Sequence, residues 1–227
     1  MRRLTLAVVV VALSGSAVPA RAEQAPAPRP APPGPPRVES GLGWRAWMFV
    51  DHVGFAASDT FDAVTGSAVA TAVGGGGEVR FWKGLFARAA VSRAELDGTR
   101  GFVVTGRFIS TGVPLTIEMT PVEVAAGWRF VLDRRQRYVL YGGGGLVRVG
   151  YKETSDFADP DENVDETHAG YLAFGGLDVR ITRWTFAGVE GQYRSLGGAF
   201  GPDGVAGAFS EDDLGGSVVR VLFGIRR

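Results

Sequence analysis

From Thr120 to Phe130 the chain alternates strictly. Val122, Val124, Ala126, Trp128 and Phe130 share one parity; Glu123, Ala125, Gly127 and Arg129 share the other. A period of two sends successive side chains to opposite faces of a β-strand. The same split recurs over most of the chain after residue 41, and the polar parity is repeatedly Arg, Glu, Asp or Gly. An apolar face turned outward over a small, charged face turned inward suits a sheet closed on itself in lipid, where no backbone polar group can be left unpaired.

Eight strands are predicted, near Gly43–Val53, Ala68–Trp82, Leu85–Leu96, Leu115–Val131, Arg137–Lys152, His168–Ile181, Trp184–Leu196 and Leu214–Arg226. The connections alternate in length: Lys83-Gly84, Leu132–Gln136 and Thr182-Arg183 are short, whereas 55–67, 97–114, 153–167 and 197–213 are long. The expected fold is therefore all-β: an eight-stranded antiparallel up-and-down transmembrane β-barrel with short periplasmic turns and long extracellular loops. An even strand number puts both termini on the short-turn side.

The outward face is expected to carry Val79 and Phe81; Leu85, Ala87, Ala89 and Val91; the apolar set of the fourth strand; Val139, Tyr141, Val147, Val149 and Tyr151; Tyr171, Ala173, Leu177 and Val179; Ala187, Val189 and Tyr193; and Val219, Val221, Phe223 and Ile225. With ~3.4 Å per residue and a tilt of ~40°, Tyr141 and Tyr151 would span roughly 26 Å of membrane normal, close to the ~25 Å apolar band of such barrels. Two aromatic girdles follow: Tyr151, Tyr171 and Tyr193 toward the long loops, and Phe81, Trp128, Phe130 and Tyr141 toward the short turns. The inward face is expected to carry Glu78, Arg80, Arg88, Glu123, Arg129, Arg148, Asp178, Arg180, Glu190, Gln192, Arg194 and Arg220. Eight strands enclose a space that side chains just fill. These charges should then form a paired network rather than line a wide pore, because a buried charge without a partner is strongly disfavoured. The runs Gly74–Gly77 and Gly142–Gly145 would leave room for the long arginines.

The N-terminus adds an export route. Arg2-Arg3, the apolar run Leu4–Leu13 and Ala20-Arg21-Ala22 have the form of a cleaved signal peptide, residues 1–22. Residues 23–40 read as a periplasmic spacer, with seven prolines between Glu23 and Pro36. The barrel is expected over 41–227. Among the 227 residues there is no Cys, so the domain relies on no disulfide. Basic and acidic residues balance at 24 each, which removes any bulk attraction for nucleic acid. Mean hydropathy is only +0.08, and no apolar run long enough for a membrane helix follows the leader.

Candidate chemistry is sparse. His168 should face inward at the extracellular rim and His52 outward, and no serine is placed beside either as a nucleophile. Neither glycine run is followed by Lys-Ser or Lys-Thr, which argues against a phosphate loop. The stretch Asp159–Asp165 resembles a calcium loop until Val164, where the turn requires Gly, and reads as a solvated acidic loop. Gly101–Ile109 reads as a hairpin with Thr105-Gly106 at its tip, whose open edge is a candidate pairing site for a protein partner. No catalytic, cofactor-binding or metal-binding residue is assigned, and no cofactor is expected.

Loop alternation, girdles and a filled charged lumen together resemble the OmpA/OmpX-type eight-stranded outer-membrane barrels over residues 41–227. The last strand, Ser217–Arg227, is similar to the alternating C-terminal strand used in barrel assembly, although it ends in Arg226-Arg227 rather than an aromatic residue. The resemblance implies a monomeric barrel in the outer membrane of a two-membrane bacterium, in contact with lipid and lipopolysaccharide. The expected role is non-enzymatic: envelope integrity, or surface interaction through extracellular loops. The alternatives are an anion-favouring small-solute channel and a rim-located lipid A-modifying enzyme.

Overall fold

The computed structural model describes residues 37–38 and 41–227, apart from 105–106, 134, 156, 158–162 and 200–203. The expected leader, most of the spacer, the Thr105-Gly106 tip and most of the acidic loop lie outside the described residues. The strands are β1 (Arg37–Val38), β2 (Gly43–Phe55), β3 (Val69–Trp82), β4 (Leu85–Val104), β5 (Arg107–Val131), β6 (Tyr138–Thr154), β7 (Val164–Arg180), β8 (Thr185–Ser195) and β9 (Gly216–Arg226). From β2 to β9 each strand pairs antiparallel with the next. β9 then returns to β2, with Asp51 opposite Arg220, and closes the ring. β1 pairs with Phe130 and Val131 of β5, beyond the point where β4 begins opposite Trp128. Sheet pairing thus starts before residue 41, the expected domain boundary, because the end of β5 would otherwise have an open edge there.

Local chemistry sets the turns. Lys83 and Gly84 both have positive φ, 42° and 80°, the geometry of a two-residue hairpin whose twist matches its strands. In the next short turn a carboxylate oxygen of Asp133 accepts the Tyr138 N–H at 2.9 Å. At the third, the Thr185 carbonyl accepts the N–H groups of both Ile181 and Thr182.

At the opposite end the segment expected as loop 97–114 is a ribbon. β4 and β5 are 20 and 25 residues long, and their ladder runs to Val104 opposite Arg107. The ladder continues because a run of β-branched and aromatic residues flanks the tip, and strand pairing does not require lipid. The other loop-end elements are two helices that the alternation did not reveal. α1 (Ser58–Thr65) follows β2, and Phe61 stacks on Phe55 with ring centroids 3.9 Å apart. α2 (Gly204–Phe209) precedes β9.

Side chains sort by parity. Val122, Val124, Ala126, Trp128 and Phe130 are exposed on the outer surface, while Glu123, Ala125, Gly127 and Arg129 are buried. β6 departs from the expected assignment. Val139, Tyr141, Val147, Val149 and Tyr151 are buried inside, whereas Tyr138, Leu140, Leu146 and Arg148 face out. Both parities of β6 are apolar near Tyr138–Tyr141, and four consecutive glycines carry no side chain that could break the tie. Arg148 is therefore not in the lumen, and neither Tyr141 nor Tyr151 belongs to an outer girdle. The outer aromatics at the short-turn end are Trp44, Phe81, Trp82, Trp128, Phe130, Tyr138 and Trp184; Tyr171 and Tyr193 stand toward the loops.

The interior also differs from a uniformly charged face. Toward the loops it is apolar, lined by Phe55, Phe61, Leu115, Ile117, Met119, Leu196 and Val218 among others. The charges occupy the part nearer the short turns. Arginine at a lipid-facing midplane position costs about 2–4 kcal/mol. Val124→Arg, Val189→Arg and Leu146→Arg, the last paired directly with Val124, should each impair assembly by that amount, measured by urea-induced unfolding in lipid vesicles. Normal folding of Leu146→Arg would return β6 to the opposite parity.

Candidate functional site

Two layers of ion pairs fill the lumen. In the layer nearer the short turns, the Arg129 fork spans two carboxylates: Nε lies 2.7 Å from Glu78 and a terminal nitrogen 2.8 Å from Asp178. Arg45 reaches the same Asp178 at 2.9 Å. In the deeper layer Arg220 binds Asp51 through Nε at 2.7 Å and Glu123 at 2.9 Å. Arg194 reaches Glu123 at 2.6 Å and Asp51 at 3.4 Å. Arg88 takes Glu190 in a two-point grip, at 2.5 and 3.1 Å, and Gln192 donates to Glu190 at 2.7 Å. Arg45, Arg88, Arg129, Arg194 and Arg220 face Asp51, Glu78, Glu123, Asp178 and Glu190, five against five among the described buried residues. Glu190 and Arg220 are 0% exposed.

Burying a charge is favourable only when geometry and hydrogen bonds offset its lost hydration. Guanidinium suits this through its planar fork and its weak hydration, and it can also stack on rings. The stacking is present. Arg220 lies 3.6 Å from the Phe49 ring centroid, Arg88 3.5 Å from that of Phe174, Arg45 3.7 Å from that of Phe186 and Arg129 4.6 Å from that of Tyr141. The rings in turn depend on glycine. A Cβ at Gly74 would lie 2.5 Å from the Phe49 ring, and one at Gly176 would lie 2.5 Å from that of Tyr141. Gly74 and Gly176 thus make room for rings, and the rings carry the arginines, whereas a Cβ at Gly143 or Gly145 would meet the backbone of β5, at the Ala126 and Val124 carbonyl oxygens. The expectation had been room for the arginines directly.

The remaining lumen candidates sit apart. Arg80 is half-buried at the short-turn mouth and donates to the Gly41 carbonyl at 3.1 Å. Arg180 is also half-buried there and donates to Gln136 at 2.9 Å. Arg45 and Asp51 were missed because β2 carries large apolar residues on both parities. The available signal was that these two charges lie six residues apart, hence on one face.

At the loop end the mouth is framed by α1 and the approach to β9. A carboxylate of Glu211 accepts the Asp59 N–H at 3.1 Å, and the Thr60 N–H and hydroxyl at 2.8 and 2.7 Å. Slight burial opposes ionisation of Glu211, but these three hydrogen bonds outweigh it and hold the carboxyl below its ordinary value. Inside this frame is a cavity of about 430 Å³. On its wall the Tyr151 hydroxyl donates to Glu153, and His168 Nε2 lies 3.3 Å from Glu166. The Ser155 hydroxyl is spent on the Pro114 carbonyl at 2.6 Å. His52 faces outward.

No protein-family model matches the sequence. No curated protein matches it either. Among solved structures the fold is similar to the outer membrane protein OprG from Pseudomonas aeruginosa, with a TM-score of 0.54 at 12% identity, covering 84% of this chain and 98% of that one. It is also similar to Ail, the attachment invasion locus protein of Yersinia pestis, with a TM-score of 0.50 at 13% identity, covering 83% and 100%. The chain thus has the fold of the OmpA/OmpX-type eight-stranded outer-membrane barrels.

Removing one partner of a buried ion pair costs about 3–5 kcal/mol, because the other charge is stranded. Glu123→Gln and Arg194→Gln should each destabilise on that scale, and the double variant should cost less than their sum by at least about 1 kcal/mol. Equilibrium unfolding of the four-member cycle measures the difference. Strict additivity would show that the pair is not coupled.

The Glu211 clamp predicts a pH response at the mouth. A depressed folded-state value means that its stabilisation is complete above the ordinary glutamate value of about 4.3 and is lost as pH falls through the folded value. The protection of the Thr60 amide, taken relative to its intrinsic exchange rate at each pH, should therefore fall on acidification in the wild type. In Glu211→Gln that fall should be absent, with protection already low near neutrality.

Proposed function

We propose that this chain is a non-enzymatic outer-membrane β-barrel, exported by removal of residues 1–22, that acts as a sealed strut and presents its loop end at the cell surface. Its role is envelope integrity or surface interaction through extracellular loops. The observation that carries this reading is the lumen: two charge-neutral layers of interlocked side chains stand across the barrel, with Glu190 and Arg220 fully buried. A channel would need a wetted path, and such layers leave none.

Lipopolysaccharide is the expected lipid partner. Arg93, Arg148 and Lys152 are exposed on the outer face toward the loops, where long basic side chains can reach phosphate at headgroup level. The ribbon of β4 and β5 offers a second contact. It stands clear of β3 and β6, with Phe102, Val104 and Ile109 exposed, and open strand edges with apolar side chains suit pairing with a partner strand. Against a lipid A-modifying enzyme stands the lining of the loop-end cavity, in which His168 has no serine beside it among the described residues.

In planar bilayers the purified protein should give no current steps, and steady conductance in the wild type would overturn the sealed-strut reading. In cells, a cysteine at Ser110 should react with an impermeant maleimide, whereas one at Arg135 should react only after the outer membrane is breached. The reverse pattern would invert the assigned orientation.

A further inference from the structure

The cavity at the loop end has features that a sealed strut does not need. It holds about 430 Å³, within the range of roughly 300–1,000 Å³ typical of small-molecule sites. Its body is apolar, formed by Phe61 and Val64 of α1, Leu115 and Ile117 of β5, and Val205 and Ala206 of α2. Polar groups gather on the β6–β7 side. Tyr151 and Glu153 of β6 share the inward parity, and the register sets Glu166 opposite Tyr151 and His168 opposite Val149. Glu153 accepts the Tyr151 hydroxyl, and Glu166 lies beside His168. Each carboxylate keeps acceptor capacity beyond that single partner. Arg100 lines the β4 side of the cavity and is likewise not without a partner.

Below the cavity the described side chains pack closely. A void there is only about 30 Å³ and is walled by Met119, Leu196, Leu214 and Val218. Arg194 of the ion-pair layers stands at its lower edge. A molecule entering from the loop side therefore meets a dead end.

We propose that this cavity binds a small amphipathic amine from the extracellular side. The ligand's apolar body lies against Phe61, Ile117 and Val205, and its ammonium is held by Glu153 and Glu166. Capture, not transport, is the outcome that the closed floor permits. The site goes beyond the strut reading and does not depend on it, since a barrel that leaked current could still bind, and a sealed barrel could have an empty mouth.

The test uses the full mature chain in phosphatidylcholine nanodiscs, with empty discs subtracted to remove lipid partitioning. Three probes share one ring: 2-(1-naphthyl)ethylamine, 2-(1-naphthyl)ethanol and 1-naphthylacetate. Calorimetry should show saturable binding of the amine, at least tenfold weaker binding of the alcohol and none of the acid. In Glu153→Gln/Glu166→Gln the amine should weaken at least tenfold while the alcohol is unchanged. In Val205→Trp, which fills the apolar body, both should be lost. Absence of saturable amine binding to the wild type would overturn the site. Equal binding of all three probes, or an amine affinity indifferent to the two glutamates, would overturn the assignment of its head group. The probe series on unaltered protein keeps the result decisive even if a variant fails to fold.

Discussion

Everything in this barrel hangs on the requirement that charges removed from water meet opposite charges at hydrogen-bond range. Among the described residues, five guanidinium groups lie buried inside with five carboxylates. Their arrangement fixes which parity of each strand faces in, because a one-residue slip would send an arginine toward lipid and an apolar side chain toward the charges. It also fixes where glycine must stand. Phe49 and Tyr141 lie under arginines only because Gly74 and Gly176 leave the space above them. The glycine content of the chain is, in this part of it, a packing requirement of the ion pairs.

The interior divides by function as well as by chemistry. Near the short turns, charge and stacking fill the lumen. Toward the loops, apolar residues line it, and α1 is tied to the approach to β9 through Glu211. A rigid lower half and a framed mouth place the variable part of the molecule on a fixed support, an arrangement suited to recognition by loops.

The barrel itself was legible in the sequence because alternation reports directly on which face meets lipid. Over Val122–Phe130 of β5 one parity is apolar and the other is charged or small, and in β9 Val219, Val221, Phe223 and Ile225 face outward as expected. β6 was not legible. Its glycine run carries no side chains, and Arg148 reads as a lumen residue by type although it lies outside, near enough to the loops for its long stem to reach water. The helices were hidden for a different reason: α1 and α2 are short, and α1 is held by Phe55, Phe61 and Glu211, contacts made across the chain rather than along it. Among the site residues, Arg88, Glu123 and Arg220 could be nominated from parity alone, but their partners could not. Pairing depends on strand tilt and stagger around the ring, which no single strand encodes.

The seam between β2 and β9 joins residues 169 positions apart, and the Asp51–Arg220 pair sits across it. Contacts of such sequence separation form late, after the loop entropy of the intervening chain has been overcome. Until that moment Asp51 and Arg220 are the two halves of an unfinished pair, one near each end of the barrel chain. A closure offset by two residues would preserve the lipid face yet leave both charges without their partner. The pair therefore favours one register of closure: hydrophobic matching alone tolerates a shift by two residues, and this contact does not.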